Sequence, residues 1–118
     1  MENIEIKQIE NQEIWKDIEN FEGLYQVSNL GRVKSVDRYV NHSKKGKCLI
    51  KSKILSPFVT LEYLKIGLRK NNKHKLIPIH RLIGKAFIPN PNNYETINHK
   101  DGNKLNNNLD NLEWCTRT

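Results

Sequence analysis

Cysteine is scarce in this 118-residue chain: only Cys48 and Cys115 occur, and neither sits in a Cys-x-x-Cys pair. That scarcity excludes a disulfide scaffold and a structural zinc site built on paired cysteines, and it fits a reducing cytosol. Long hydrophobic runs are also missing. No apolar stretch approaches the roughly 20 residues of a spanning helix, and with 36% hydrophobic residues and a mean hydropathy of −0.73 a membrane protein is not expected. The opening Met1-Glu2-Asn3-Ile4-Glu5 is acidic and polar, unlike a secretory signal. There is no internal repeat and no long low-complexity linker, and the abundant Asn is dispersed or gathered in turns. At 13.9 kDa the chain is one ordinary domain, or two very small modules sharing a modest core.

Acidic residues are missing from much of the sequence. Residues 1–22 hold seven acids against Lys7 and Lys16, a net charge of −5, which leaves +12 on the rest and +7 on the whole. One basic stretch holds Arg32, Lys34, Arg38, Lys44, Lys45, Lys47, Lys51 and Lys53 with Asp37 as its sole acid; a second holds Lys65, Arg69, Lys70, Lys73, Lys75, Arg81 and Lys85 with none. A polyanion suits such a field, because each neutralised phosphate releases condensed counterions. Charge alone leaves open the plainer reading of solvated loops in a Lys-rich protein.

The hydrophobic pattern divides the chain into short elements. Apolar positions between Ile4 and Ile18 are too sparse for a helix, and Trp15 is the expected start of the folded part. Leu24, Tyr25 and Val27 lead into Ser28-Asn29-Leu30-Gly31, which predicts a β-hairpin with Arg32, Lys34 and Arg38 on its second strand. Residues 41–47 read as a polar, basic loop. Leu49–Leu55 and Tyr63–Arg69 alternate in part, Asn71-Asn72-Lys73 predicts a turn, and Leu76–Ile79 predicts a return strand. Leu82, Ile83, Ala86 and Phe87 recur at helical spacing, so a short helix over His80–Phe87 is expected, stopped by Pro89 and Pro91. Glu95–His99 and Leu112–Cys115 read as strands on either side of a long polar loop, Lys100–Asn111.

A histidine at a strand end, followed by a polar loop and a second strand, suits general-base chemistry. His99 has an ordinary pKa of about 6.5 and could take a proton from water near neutral pH. Its second ring nitrogen needs an acceptor to define the tautomer. Asn111, where the loop returns, could supply one, and Asn98 and Asp101 are oxygen donors suited to a hard cation. By spacing alone, His99 beside Asp101-Gly102-Asn103 is more often an exposed turn residue than a catalytic one.

Three segments narrow these alternatives. Residues 97–114, from Ile97-Asn98-His99-Lys100-Asp101-Gly102-Asn103 to Asn111-Leu112-Glu113-Trp114, closely resemble the core of phage and intron-encoded HNH homing endonucleases, which carry a ββα-metal active site. His80-Arg81-Leu82-Ile83-Gly84-Lys85-Ala86-Phe87-Ile88-Pro89-Asn90-Pro91 resembles the segment that precedes this core. Glu13-Ile14-Trp15-Lys16-Asp17-Ile18 and Tyr25–Ser35 resemble the nuclease-associated modular motif that opens many of these enzymes. The resemblance implies His99 as the general base, Asn111 as the residue that orients it, and Asn98 as a ligand of Mg²⁺ or Mn²⁺ in a position often held by Asp. Asp101 and Gly102 are read as shaping the loop. His80 is read as a packing or phosphate contact, and His80 and Asp101 remain accessory positions.

The expected fold is α+β, with an N-terminal antiparallel β module (residues 1–57, DNA-binding) followed by the HNH core (residues 58–118). The resemblance implies a further ligand-bearing helix after the last strand. Thr116-Arg117-Thr118 is too short to form it, so the ββα-metal motif is expected to have its C-terminal helix truncated or missing. The implied function is hydrolysis of phosphodiesters in double-stranded DNA with a divalent metal and no organic cofactor or membrane. The expected setting is a bacterial cytoplasm, with the chain phage- or mobile-element-encoded. Arg32, Lys34, Arg38, Lys65, Arg69, Lys70, Lys73, Lys75 and Arg81 are the expected DNA contacts. The alternative is a catalytically inactive DNA-binding remnant; an RNA-binding reading lacks an aromatic-rich stacking strand.

Overall fold

The computed structural model describes residues 12–116. The sparse apolar positions Ile6 and Ile9, the Met1–Glu5 opening and the last two residues lie outside the described residues. Within 12–116 the elements in chain order are β1 (Trp15–Asp17), β2 (Tyr25–Ser28), β3 (Val33–Ser35), β4 (Arg38–His42), β5 (Gly46–Ile50), β6 (Phe58–Thr60), β7 (Tyr63–Lys70), β8 (Lys73–Pro78), α1 (Ile79–Phe87), β9 (Thr96–His99), a 3-10 turn (Leu109–Asn111) and β10 (Leu112–Cys115). The strands form antiparallel sheets β1-β2-β3 and β6-β7-β8 and the two-stranded ribbons β4-β5 and β9-β10. The fold is α+β, as the sequence pattern implies.

One core joins the pieces. Ile18 and Phe21 of the β1-β2 connection and Tyr25, Val27 and Val33 of the first sheet meet Ile66 and Leu68 of β7, Ile79, Leu82 and Ile83 of α1, and Leu112 of β10. The helix forms where expected because its apolar positions line one stripe, and burying each such side chain stabilises by about 1.5–3 kcal/mol. Its last turn closes with the Ile88 amide donating to the Gly84 carbonyl at 3.0 Å, and Pro89 cannot continue the ladder. Gly84 lets the helix lie directly on the β9-β10 ribbon: a Cβ there would stand 2.5 Å from Ile97 Cδ1 and 3.1 Å from Trp114 Cζ2. The Trp114 indole N–H donates to the Ile88 carbonyl at 3.0 Å, pinning helix end to ribbon.

Three expectations change. Arg38 is not on the strand that carries Lys34; it opens β4, because the chain breaks strand register at Val36-Asp37. Residues 41–47 are not a loop: Asn41 and His42 complete β4, Gly46 and Lys47 begin β5, and only Ser43–Lys45 turn. Gly46, at φ 72°, closes that turn as only a glycine does freely. Strand β6 has no counterpart in the sequence pattern, because its hairpin turn to β7 uses Leu61 and Glu62 at φ 51° and 73°, residues that carry no turn signal. Asn71-Asn72, at φ 54° and 64°, does carry it, and the β7-β8 turn lies where expected.

Candidate active site and nucleic-acid surface

His99 ends β9 with its side chain buried, on the face of the ribbon that it shares with its cross-strand partner Leu112. The loop that follows folds back on itself. The Lys100 amide donates to the Asn111 carbonyl and the Gly102 amide to the His99 carbonyl, both at 2.8 Å. Asn111, also buried, staples the loop through its side chain: Oδ1 accepts from the Asp101 amide at 3.0 Å, and Nδ2 donates to Asp101 Oδ1 and the Asn106 carbonyl, each at 2.9 Å. Asp101 accepts further bonds from the Asn103 amide and Asn106 Nδ2, both at 2.8 Å. The Asn106 amide, ahead of the Asn103 and Asn111 contributions, holds its carboxyl below the usual range. Asp101 is thereby committed to loop shape.

The imidazole is gripped by Asn107, a residue that no sequence pattern marks. His99 Nε2 lies 2.9 Å from Asn107 Oδ1, and an amide oxygen only accepts, so Nε2 carries the proton and Nδ1 presents its lone pair. Asn111, expected in that place, does not hydrogen-bond the ring, because both ends of its amide are taken by the loop. Nothing in the run Asn106-Asn107-Asn108 marks which amide turns inward; only the folded loop decides it. Asn107 is held from the N-terminal module. A Cβ on Gly31 (φ 90°) would stand 3.0 Å from the Asn107 carbonyl oxygen, and the Leu109 amide donates to the Asn29 carbonyl at 2.8 Å.

His80, at the start of α1, is the other buried histidine beside this site. Its ring centroid is 5.2 Å from that of His99 and 4.9 Å from that of Tyr63. Its Nδ1 is buried without a hydrogen-bond partner. Burial pushes its pKa down to about 4, helped by His99 and Arg81. A neutral imidazole therefore packs against the His99 side of the site. The loop's outer end is tied to the β6-β7 turn by Lys104, which pairs with Glu62 at 2.5 Å and lies over the Tyr63 ring.

Asn98 leaves β9 on the opposite, exposed face, so the structure does not bring its side chain to the imidazole. Its Nδ2 donates to Oε1 of its cross-strand partner Glu113 at 2.9 Å, which leaves its amide oxygen as the donor for a cation beside a carboxylate. Two hard oxygen groups fit a divalent cation that takes its remaining ligands from water and phosphate.

The expected DNA contacts fall in separate places. Arg32 is ion-paired with Glu13, whose carboxyl it holds below the usual range, and both Arg32 and Lys34 lie over the Trp15 ring, the latter at 4.3 Å. Lys65 and Arg69 lie on the outward face of β7, whereas Lys70, Lys73 and Lys75 alternate to the other face, where Lys70 Nζ donates to the Asn20 carbonyl at 2.6 Å. Arg81 donates to the Glu95 carbonyl at 2.7 Å and lies over Trp114. Arg38 shares a cleft with Arg69, Lys70 and Lys73. Among the described residues no helix is long and apolar enough to cross a membrane.

Two family models match this chain. Residues 13–69 match the family model of the NUMOD4 motif, and residues 78–118 match that of the HNH endonuclease. The DNA endonuclease I-HmuI of Bacillus phage SP01 is 42% identical over 103 residues, covering 87% of this chain and 52% of that protein. The uncharacterized HNH endonuclease L245 of Acanthamoeba polyphaga mimivirus is 42% identical over 100 residues, covering 85% of this chain and 26% of that protein. A solved structure of DNA binding and cleavage by the HNH homing endonuclease I-HmuI superposes with a TM-score of 0.68 at 39% identity, over 88% of this chain and 53% of that one. The chain thus spans between about a quarter and a half of the length of these relatives.

Proposed function

This chain belongs to the HNH endonucleases, with a NUMOD4 motif preceding its HNH motif, and on that premise we propose that it acts as a divalent-metal-dependent endonuclease on double-stranded DNA. The observation that carries the proposal is the buried His99, held through Nε2 by Asn107 so that Nδ1 is free to take a proton. In this reading Nδ1 accepts a proton from water as the oxygen attacks phosphorus, the bond from phosphorus to the 3′ oxygen breaks, and that oxygen takes a proton from solvent. Asn107 orients the ring directly. Asn111 acts one step back by holding the loop, with Asp101 as its partner. Asn98 and Glu113, on the ribbon face away from the imidazole, would hold the Mg²⁺ or Mn²⁺, and the scissile phosphate would have to span the end of β9 for the bound cation to stabilise charge on it and on the leaving oxygen. Residues 1–57 serve mainly to bind DNA and 58–118 to cleave it, with Arg38, Lys65, Arg69, Lys73 and Lys75 as phosphate contacts, joined by Lys70 where its ammonium also keeps the Asn20 carbonyl. Arg32, Lys34 and Arg81 would have to share existing partners to join them. The proposed setting is a phage-infected bacterial cytoplasm.

Supercoiled plasmid with Mg²⁺ or Mn²⁺ tests the chemistry. The chain nicks it, EDTA stops the reaction, and His99→Ala lowers the rate by about 10²–10⁴-fold, the usual worth of a general base. Equal nicking by the variant, or nicking indifferent to EDTA, refutes the mechanism. One observation favours a second reading, a DNA-binding relative that does not cut: the residue preceding His99 in the chain is the neutral Asn98, a weaker cation ligand than a carboxylate. That reading expects salt-sensitive duplex binding with no nicking at any metal concentration.

A further inference from the structure

The β6-β7 hairpin breaks a rule that its neighbour keeps. Thr60 pairs with Tyr63, so Leu61 and Glu62 alone make the turn, at φ 51° and 73°. A two-residue turn with both φ positive favours Asn and Gly, because a Cβ crowds the backbone in the left-handed region. The β7-β8 turn conforms, with Asn71-Asn72 at φ 54° and 64°. Leu61 is 81% exposed, so burial of its own side chain does not hold the β6-β7 turn in that shape. What the shape provides is a place for Glu62, whose carboxylate meets the ammonium of Lys104 in the loop that follows His99. Non-glycine residues held at such angles cluster at ligand clamps and switch regions.

Lys104 stands near the chemistry. Its ammonium lies 5.2 Å from the Tyr63 ring centroid, and that centroid lies 6.2 Å from the centre of the His99 ring. The two legs put the charge within about 11 Å of the imidazole, or about three base steps of 3.4 Å. The ion pair is open to solvent, with the Lys104 side chain 43% exposed and that of Glu62 73% exposed. Such a pair contributes little to stability, so stability alone does not account for the strained turn that presents it. Building on the endonuclease reading above, we infer that Lys104 binds a DNA phosphate beside the scissile one, and that Glu62 occupies the place of that phosphate in the free protein. An arriving phosphate replaces one oxyanion by another at the same ammonium, and the condensed counterions it sheds favour the exchange. The face of Tyr63 keeps the ammonium in position meanwhile, since a cation–π contact does not depend on the carboxylate. Asp101, the nearest acid along the loop, does not compete, because its oxygens accept from Asn103, Asn106 and Asn111.

Fluorescence anisotropy of a labelled duplex, titrated with the whole chain over a range of salt, separates this role from mere fastening of the loop. Lys104→Gln weakens binding by about three- to ten-fold at low salt and reduces the slope of log K against log salt by about 1. Glu62→Gln breaks the same ion pair yet tightens binding by about two- to five-fold, and it makes no difference in the Lys104→Gln background. Leu61→Asn combined with Glu62→Gly gives the turn its preferred residues, so it raises the urea midpoint and tightens binding as Glu62→Gln does. Weaker binding in both single variants makes the pair a structural fastener and overturns the inference. Tightening by Glu62→Gln that persists without Lys104 overturns it too, being the general effect of removing a negative charge. Wild-type affinity in either single variant, or a lowered urea midpoint in the turn variant, does the same. Absence of salt-dependent duplex binding by the wild type brings down the DNA reading itself, and the inference with it.

Discussion

Acid should destabilise this protein through His80. The unfolded chain returns this imidazole to its ordinary pKa of 6.5, whereas in the fold burial pushes it down to about 4. Between those values the unfolded state binds more protons, so stability falls as pH falls; the contribution is fully present above about 6.5 and is lost toward 4. Carrying the two pKa values through the linkage relation makes the step from pH 7.5 to pH 5 cost about 2 kcal/mol from this group alone. The side chain is only 8% exposed and its Nδ1 has no partner, so the neutral form is what the site accommodates. Urea unfolding followed by the fluorescence of Trp15 and Trp114 measures the difference at the two pH values. His80→Phe keeps a ring against Tyr63 and His99 and removes the titrating group, so its loss between pH 7.5 and pH 5 should be smaller by about 2 kcal/mol. An equal loss in wild type and variant refutes the reasoning, because the acid sensitivity then belongs to other groups.

Two further outcomes follow from the loop. Asn111→Ala removes three hydrogen bonds that close residues 100–111 and should cost about 2–4 kcal/mol of stability in the same urea assay; a loss below about 0.5 kcal/mol contradicts the stapling role. Gly31→Ala forces a side chain into a left-handed conformation, costing about 1–2 kcal/mol, and presses on the Asn107 carbonyl. It should lower plasmid nicking by about ten-fold or more while duplex binding persists, and unchanged nicking shows that Asn107 does not depend on that turn.

Local patterns were legible where a residue's own chemistry decides its structure. The helix over Ile79–Phe87 follows from apolar spacing and the prolines after it, the β7-β8 turn from Asn71-Asn72, and the β9 and β10 strands from their apolar runs on either side of a polar loop. The β6-β7 turn was not legible, because Leu61 and Glu62 are held at positive φ by the hairpin, with the Glu62–Lys104 pair fastening the turn, and not by preferences of their own. Nor was the β4-β5 ribbon. Its tip is as polar and basic as a loop, and only the pairing from Arg38↔Ile50 to His42↔Gly46 distinguishes it.

The same division runs through the site. Sequence alone determined the general architecture, the histidine at the strand end and the basic surfaces, since periodicity, charge and a resemblance carried by contiguous motifs are properties of the chain itself. Tertiary structure decided which of the loop's asparagines grips His99, that Asn98 and His99 leave the strand on opposite faces, and that Arg32 has its charge met by Glu13. Each is a contact between residues whose distance along the chain says nothing about their distance in space. Asn107 reaches the imidazole because Asn111 closes the loop from within and Gly31, 76 positions earlier, leaves room for its backbone from outside.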